Sequence, residues 1–448
     1  MSVQSASPEV RASARTGATE TMAFRRWSVL ILLSLGAVIA FIDRTSIASV
    51  LAVGTFRVQF HLTDLDRGAL ASAFFWSYAL LQIPMGWIVD RYGVKFPYAI
   101  MFGVWCVASA CTGLMSTFSG LIIMRIFTGV GESIVVPASY RWIRANFTED
   151  RSGFAVGIYM IGTKIGPAVG APLAAWLIVQ HSWRFMFLLC GAVGLLWLVP
   201  WMLLARNDSS GRGVAAKAAA KAIPLRNVLS SPLVWGTIII NFCYNYFVFY
   251  CMTWMPAYLV EQRGLSLRTM GLYSFFSFGG IALVALASGW AADVLIRRGH
   301  DAVVVRKAFV IAGFALACTE LLGAVSHSLN GALFWNVVSL SGLGFATANH
   351  LALCRLTLIP APAVGLVTGI QNVSTSLAGI VAPLLSGWLL EWSGGYRAPM
   401  EVIFVFLVVG AVTCIVLLRR RWAPVLPDEN DDPPRLPLHF GTSLVHRG

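Results

Sequence analysis

Long, almost unbroken runs of apolar residues recur along this chain, each of a length that lets a helix cross a bilayer. Such a helix needs roughly 20 mainly apolar residues, because it rises about 1.5 Å per residue through a hydrocarbon layer about 30 Å thick. The runs lie at 27–53, 67–89, 96–116, 119–142, 153–179, 184–205, 232–259, 270–295, 307–326, 331–357, 363–390 and 398–418. They predict an all-α membrane protein with twelve spans. The run after Arg25-Arg26-Trp27 is too long for a signal peptide and is expected to stay as the first span.

Composition agrees: of 448 residues 57% are hydrophobic and 12% charged, more apolar surface than a soluble core of this size hides. An even span count puts both termini on one side, and the basic residues choose it. Of the 33 Lys and Arg, 24 fall on the side of the termini, including Arg355, and six on the other: Arg57, Arg67, Arg184, Arg263, Arg268 and Arg397. Arg44, Arg125 and Lys164 lie inside spans. Both termini are therefore expected in the cytoplasm, with the chain multi-pass in the cell (inner) membrane. The net charge of +13 is mostly this bias, so no nucleic-acid partner is expected. The eight cysteines all fall within spans without ligand spacing, which predicts apolar fillers and no metal site.

One long polar stretch, 206–231, separates two six-span halves. The expected organisation is a cytoplasmic tail 1–26, a bundle 27–205, a cytoplasmic linker 206–231, a bundle 232–418 and a cytoplasmic tail 419–448. A motif marks both halves. Gly86-Trp87-Ile88-Val89-Asp90-Arg91-Tyr92-Gly93-Val94-Lys95 follows span two, and Gly289-Trp290-Ala291-Ala292-Asp293 with Arg297-Arg298-Gly299 follows span eight, 203 residues on. The glycines suit close helix approach, and the aspartates and basic residues suit pairing at a neighbouring helix end. A second echo links Gly166-Pro167 and Pro172 in span five with Gly379, Pro383 and Gly387 in span eleven.

GWIVDRYGVK resembles the cytoplasmic loop signature of the major facilitator superfamily, and the twelve-span layout with its half-repeat extends the likeness over nearly the whole chain. The resemblance implies two pseudo-symmetric six-helix bundles, with a substrate cavity between them that opens to each side in turn.

Charges inside the spans are the candidate chemistry, since each costs several kcal/mol if left unpaired in hydrocarbon. Asp43 and Arg44 lie in span one; Arg125 and Glu132 lie in span four, two turns apart on one face and about 10 Å from each other. Asp43 or a substrate is a candidate to bridge that gap. A static ion-pair network is the structural alternative. Arg44, Arg125 and Lys164 against Asp43 and Glu132 give a net +1 with both acids ionised and +3 with both protonated. Protonation should therefore favour an anion, as in proton-coupled symport, with Glu132 first and Asp43 second as proton carriers. Arg44 suits a carboxylate by its planar fork and Lys164 as a point charge.

FIDR, FFWSYALLQIPMGW and MRIFTGVGES resemble the anion:cation symporter branch of the superfamily, which includes sugar-acid carriers. That likeness implies proton roles for Asp43 and Glu132, carboxylate binding by Arg44, coupling by Arg125, and substrate contacts from Tyr78 and Asn372. Two positions depart from the pattern. Phe41 stands where related carriers have tyrosine, and Lys164 follows Thr163 where a neutral polar side chain is expected. Together they suggest a less hydroxylated or doubly charged anion, such as a dicarboxylate or aromatic acid, although Lys164 has the alternatives of snorkelling or pairing with an acid.

Tyr78 with Gln82, Asn241 with Asn245, and Asn372 with Ser376 each share a helix face and are further substrate candidates, with helix–helix hydrogen bonding as the alternative. His350 reads as a structural histidine, and Glu320 has no assigned role. Gly162-x3-Gly166-Pro167-x2-Gly170 partly matches the signature of antiporters in this superfamily, so proton-driven export of a drug or metabolite is the runner-up function. No Ser-His-Asp order, HExxH, CxxC or phosphate-binding glycine loop points to an enzyme or a cofactor. A monomer handling a small organic anion and protons is the expected working unit.

Overall fold

The computed structural model describes residues 8–206, 225–360 and 363–424. Most of the expected linker, much of the C-terminal tail and the first seven residues of the N-terminal tail lie outside the described residues. Among the described residues there is no strand. Among the described residues twelve long helices, two of them interrupted, build the fold: α1 Pro8–Leu51, α2 Asp64–Tyr92, α3 Lys95–Thr112, α4 Phe118–Asn146, α5 Glu149–Gln180, α6 Trp183–Leu204, α7 Pro232–Thr253, α8 Leu267–Arg297, α9 Ala302–Val325, α10 Leu329–Ala352, α11 Val364–Ser393 and α12 Arg397–Val416. Eleven of them contain a stretch long and apolar enough to cross a membrane. The remaining one, α3, is 18 residues long and is made less apolar by Lys95, Pro97 and Tyr98 at its start. It packs along α6 and α4 and completes the six-helix half.

Helix ends are written in the sequence. Thr63 opens α2 with a capping box: its hydroxyl accepts from the Asp66 N–H (3.1 Å) and the Asp66 carboxylate accepts from its N–H (3.0 Å). Ser182, Ser231, Ser266 and Ser328 cap α6, α7, α8 and α10 with their hydroxyls. Gly394, at φ +70°, ends α11 in the left-handed conformation. Two spans are not continuous. In α4 the chain loosens at Ser133–Ile134, because Pro137 lacks an N–H and its ring crowds the carbonyl four residues back. In α9 it loosens at Cys318–Thr319, where the Thr319 hydroxyl donates to the Leu316 carbonyl (2.6 Å).

The packing list of the first half recurs in the second with every helix index raised by six. Thus α1 lies on α5 as α7 on α11, α2 on α4 as α8 on α10, and α3 on α6 as α9 on α12. The halves meet along α2 with α11 and α5 with α8, which exchange under the same operation, and more lightly along α1 with α7. At the end bearing Asp64, Glu261 and Tyr396 the halves touch: a Cβ on Gly68 would lie 2.5 Å from the Pro383 carbonyl oxygen, and one on Gly387 2.5 Å from that of Asp64. At the opposite end, near Gly153, Gly157, Gly365 and Gly369, a Cβ would meet nothing within 4 Å. The halves are thus in contact at the first end, the closed end, whereas these four positions at the second, the open end, face empty space. Large apolar side chains such as Leu80, Ile83, Leu283, Leu286 and Leu203 stay exposed on the outer helix faces, as lipid-facing positions do.

Candidate functional site

Arg44 and Glu132 form the centre of the site. The Arg44 Nε donates to the Glu132 Oε2 at 2.8 Å; the Glu132 side chain is fully buried and that of Arg44 is 10% exposed. The guanidinium also lies over three rings, Phe41 (4.6 Å), Phe74 (4.8 Å) and Tyr78 (4.8 Å). Aromatic faces hold a cation where water is scarce and fix the plane of the fork. Phe41 therefore acts as a stacking surface for Arg44. Glu132 occupies the last residue before the loosened turn of α4, so the Pro137 interruption helps set where its carboxylate points.

Asp43 does not bridge Arg125 and Glu132. Neighbouring residues on a helix point about 100° apart, and Asp43 faces α3, where it accepts from Trp105 Nε1 at 2.6 Å and Ser109 Oγ at 3.1 Å. Arg125 is buried, with its guanidinium 5.2 Å from the Phe74 ring centroid. Its Nε and the Glu132 Oε1 are buried atoms without a hydrogen-bond partner among the described residues. Both are open to a further polar group.

On the other half, Asn241 is buried and committed to packing: its Nδ2 donates to the Gln371 carbonyl (2.8 Å) and to Thr375 Oγ1 (2.8 Å). Asn245 donates to the Asn241 carbonyl (2.7 Å), so this pair ties α7 to α11. The helix–helix alternative describes Asn241 better than substrate contact does. Asn372 and Gln82 are half-buried and have no hydrogen-bond partner among the described residues. Gly379 packs on the Phe75 ring, and Asn372, two turns from Gly379 on the same face of α11, is carried toward α2. Ser376 is buried. His350 stacks on Tyr244 (4.7 Å), whose hydroxyl is 2.8 Å from Thr347 Oγ1. Glu320 is buried between Asn336 (3.4 Å) and the Ser339 hydroxyl, away from Arg44.

Lys164 does not pair with Glu132 or Asp43. It stands on the wall of a largely apolar groove of about 890 Å³ between α5, α8 and α10, and has no ion-pair partner among the described residues.

The aspartates of the repeated motif pair with basic residues on a neighbouring helix. Asp90 pairs with Arg141 (2.5 Å) and Asp293 with Arg306 (3.0 Å). Arg91 and Lys95 instead lie over Tyr92 and Phe96, and Arg297 makes no ion pair among the described residues. A Cβ on Gly86 would lie 4.0 Å from Pro137 and one on Gly289 3.5 Å from Ala348, ordinary contacts, while Gly93 supplies a positive φ of 82° beyond α2. The glycines of the antiporter-like stretch face α1: Gly162 meets Ser34, Gly166 meets Phe41 and Gly170 meets Thr45. Helix packing accounts for them.

Two cations read as loop residues are instead buried or half-buried. Arg67, counted among the loop cations, is 1% exposed and clasps the closed end: it donates to Asp64 (2.8 Å), to both Glu261 oxygens (2.7 and 3.2 Å) and to the Leu51 carbonyl (2.9 Å), and lies 5.0 Å over Trp254. Tyr396 donates to Glu261 at 2.7 Å, and burial pushes its phenol above the ordinary value. Arg355, also counted as a loop cation, is on a π-helical turn, Leu353–Thr357, that continues α10 at the open end. The signal for Arg67 was the acidic neighbour Asp64 at helical spacing; Arg355 carried none.

Comparison with known proteins agrees with the fold. The chain is 28% identical over 419 residues to a D-galactonate transporter of Escherichia coli O6:H1, covering 88% of this chain and 96% of that one. It is 26% identical over 415 residues to a hexuronate transporter of Bacillus subtilis, covering 87% and 92%. Its fold matches, with a TM-score of 0.75 at 19% identity, the crystal structure of a bacterial homolog of the human lysosomal transporter Spinster in an inward-facing, occupied conformation, covering 89% of this chain and 99% of that one. The family model described as Major Facilitator Superfamily matches residues 33–358, and with two six-helix halves joined by the same packing operation, the chain belongs to the major facilitator superfamily of transporters.

Proposed function

We propose that this protein is a proton-coupled symporter that imports a small organic anion, a sugar acid, dicarboxylate or aromatic carboxylate, by alternating access, working as a monomer in the cell (inner) membrane with both termini cytoplasmic. The observation that carries the proposal is the Arg44–Glu132 pair: a cation partly open to the cleft, held by a carboxylate that is fully buried. The relatives named as galactonate and hexuronate transporters point to the same class of cargo.

A substrate carboxylate and the Glu132 carboxylate compete for one guanidinium. Protonating Glu132 removes the competing charge, frees the Arg44 fork for two parallel hydrogen bonds to the substrate, and lets the emptied anion site hold Glu132 neutral. Proton and anion then bind cooperatively and cross together. Arg125, with its free Nε near the same site, keeps the field positive, and Asp43 is the second proton carrier. Tyr78, Gln82 and Asn372 contribute polar contacts. The halves 27–205 and 232–418 rock about the α2/α11 and α5/α8 seams, and the open end, which bears the Asp90 and Asp293 motifs, faces the cytoplasm. The drug-antiporter reading draws no support from the glycine stretch of α5, since packing on α1 already accounts for it.

Proteoliposomes with an imposed inward proton gradient test the reading on a panel of sugar acids. Wild type should accumulate at least one of them. Glu132→Gln should still exchange labelled for unlabelled substrate but no longer respond to the gradient. Gradient-driven uptake that survives Glu132→Gln and Asp43→Asn together would sink the proposal.

A further inference from the structure

Arg355 takes no part in the proposed transport cycle. Its Nε donates to Gln371 Oε1 at 2.7 Å, and Gln371 Nε2 in turn donates to the Cys354 carbonyl at 3.3 Å. That brace fixes the plane of the guanidinium while the two terminal nitrogens keep no partner among the described residues. No carboxylate among the described residues pairs with Arg355 or with Lys164. A side chain of this kind, half-buried and aimed by a neutral amide, is built to receive an anion rather than to neutralise one already present.

Arg355 stands at the end of α10 in the second half, whereas Arg44 stands on α1 in the first. The π turn inserts an extra residue at the end of α10 and so shifts Arg355 around the helix axis, a device common at functional positions. Arg355 comes within electrostatic reach of Tyr140, which belongs to α4 of the other half. The Tyr140 ring is 5.9 Å from that of Tyr159, and Tyr159 is in turn within electrostatic reach of Tyr78 and Arg44. His350, one π turn from Arg355, feels both Arg355 and Lys164. The two halves thus each present a braced arginine, Arg44 stacked among rings and Arg355 held by Gln371, with tyrosines between them.

We infer that Arg355 is a second anion-binding residue that selects substrates carrying two negative groups, one held by Arg44 and the other by Arg355 with Lys164 nearby. The inference rests on the organic-anion reading and narrows it to dianions. An anion that spans the two arginines also links the halves, which gives the loaded carrier a reason to close at the open end.

Galactonate and galactarate, which share a carbon skeleton and differ by a second carboxylate, test it. Binding of each is measured on the full-length carrier in detergent for wild type, Arg355→Gln, Arg355→Lys and Arg44→Gln, with thermal unfolding confirming that each variant is folded. Wild type should prefer galactarate. Arg355→Gln should weaken galactarate at least tenfold and galactonate less than twofold, and Arg355→Lys should recover part of the loss. Arg44→Gln should weaken both. If Arg355→Gln weakens both probes alike, or neither, the inference is overturned while the anion reading stands. If wild type binds neither of these anions, the dianion inference falls; if it also accumulates no sugar acid in the proteoliposome assay, the anion reading falls with it.

Discussion

Glu261→Gln should move the resting carrier away from the conformation closed at the Arg67 end. In that conformation Arg67 is almost fully buried and Glu261 accepts three hydrogen bonds, two from Arg67 and one from Tyr396. Glutamine keeps the shape, leaves one oxygen to accept, and removes the charge. A hydrogen bond to a charged group contributes about 1.5–3 kcal/mol net, and a buried cation that loses its partner is more costly still, here softened by Asp64 and the Leu51 carbonyl. A loss of about 2 kcal/mol falls only on the state in which α2 and the segment after α7 are in contact. It shifts the equilibrium roughly 30-fold toward the alternate state. The assay is a distance distribution between spin labels at Gly157 and Gly365, positions at the open end where an added side chain meets nothing. Labels should draw closer in Glu261→Gln. Glu401→Gln is the control, because the Arg397–Glu401 pair is exposed and such pairs contribute about 0–1 kcal/mol. An unchanged distribution in Glu261→Gln, or an equal shift in Glu401→Gln, would refute the assignment of Arg67 and Glu261 as the clasp.

Gly387→Val should hinder closure at the same end, since a Cβ there would lie 2.5 Å from the Asp64 carbonyl and a branched side chain needs more room; cysteine accessibility near Gly68 should rise, whereas Gly369→Val should leave it unchanged. Trp105→Phe removes the donor 2.6 Å from Asp43 and should lower thermal stability by about 1–3 kcal/mol, the cost of an unsatisfied buried acceptor, with Asp43→Asn cancelling much of that loss in a double-mutant cycle. Asp301, an exposed N-cap on α9, is held below the usual carboxylate range by the Val304 and Val303 N–H groups and Arg420. Its contribution is present above the unfolded-state value and is lost only as pH falls through the lower folded value, so Asp301→Asn should leave the pH profile of transport unchanged over about pH 5–8.

The spans were legible because a bilayer imposes one length and one polarity on every helix, and the six-step repeat was legible because GWIVDRYGVK and its partner after span eight mark equivalent helix ends. The reading of 119–142 as one continuous span passed over the break that Pro137 makes beside Glu132. What the sequence did not carry was direction. Asp43 and Arg44 are adjacent, and only the position of α3 shows that the acid turns to Trp105 while the cation turns to the cleft. Counting cations by loop side works for orientation but mistakes a cation at a helix end for a solvated one: Arg67 and Arg355 were both counted that way, and the first is among the most buried polar groups in the chain. Lys164 had the opposite fate. Its depth was read correctly, but its partners depend on how α5 rotates against α8, which the packing of Gly162, Gly166 and Gly170 on α1 decides.

That rotation has a consequence for the proposed mechanism. With α5 locked by its glycines on α1, the face carrying Lys164 turns to α8, and the remaining acids and cations divide by depth in the packing rather than by sequence. Asp43, fastened to α3, belongs to the rigid scaffold of the first half; Arg44, one residue on, is held by stacking and by a single carboxylate and has less to give up when it changes partner. A group that must release one anion and accept another works best when its orientation is set by apolar faces, which remain whichever anion is bound. Phe41, Phe74 and Tyr78 supply those faces. On this view the phenylalanine at position 41, which looked like a missing hydroxyl, is the feature that lets Arg44 exchange Glu132 for substrate without losing its alignment.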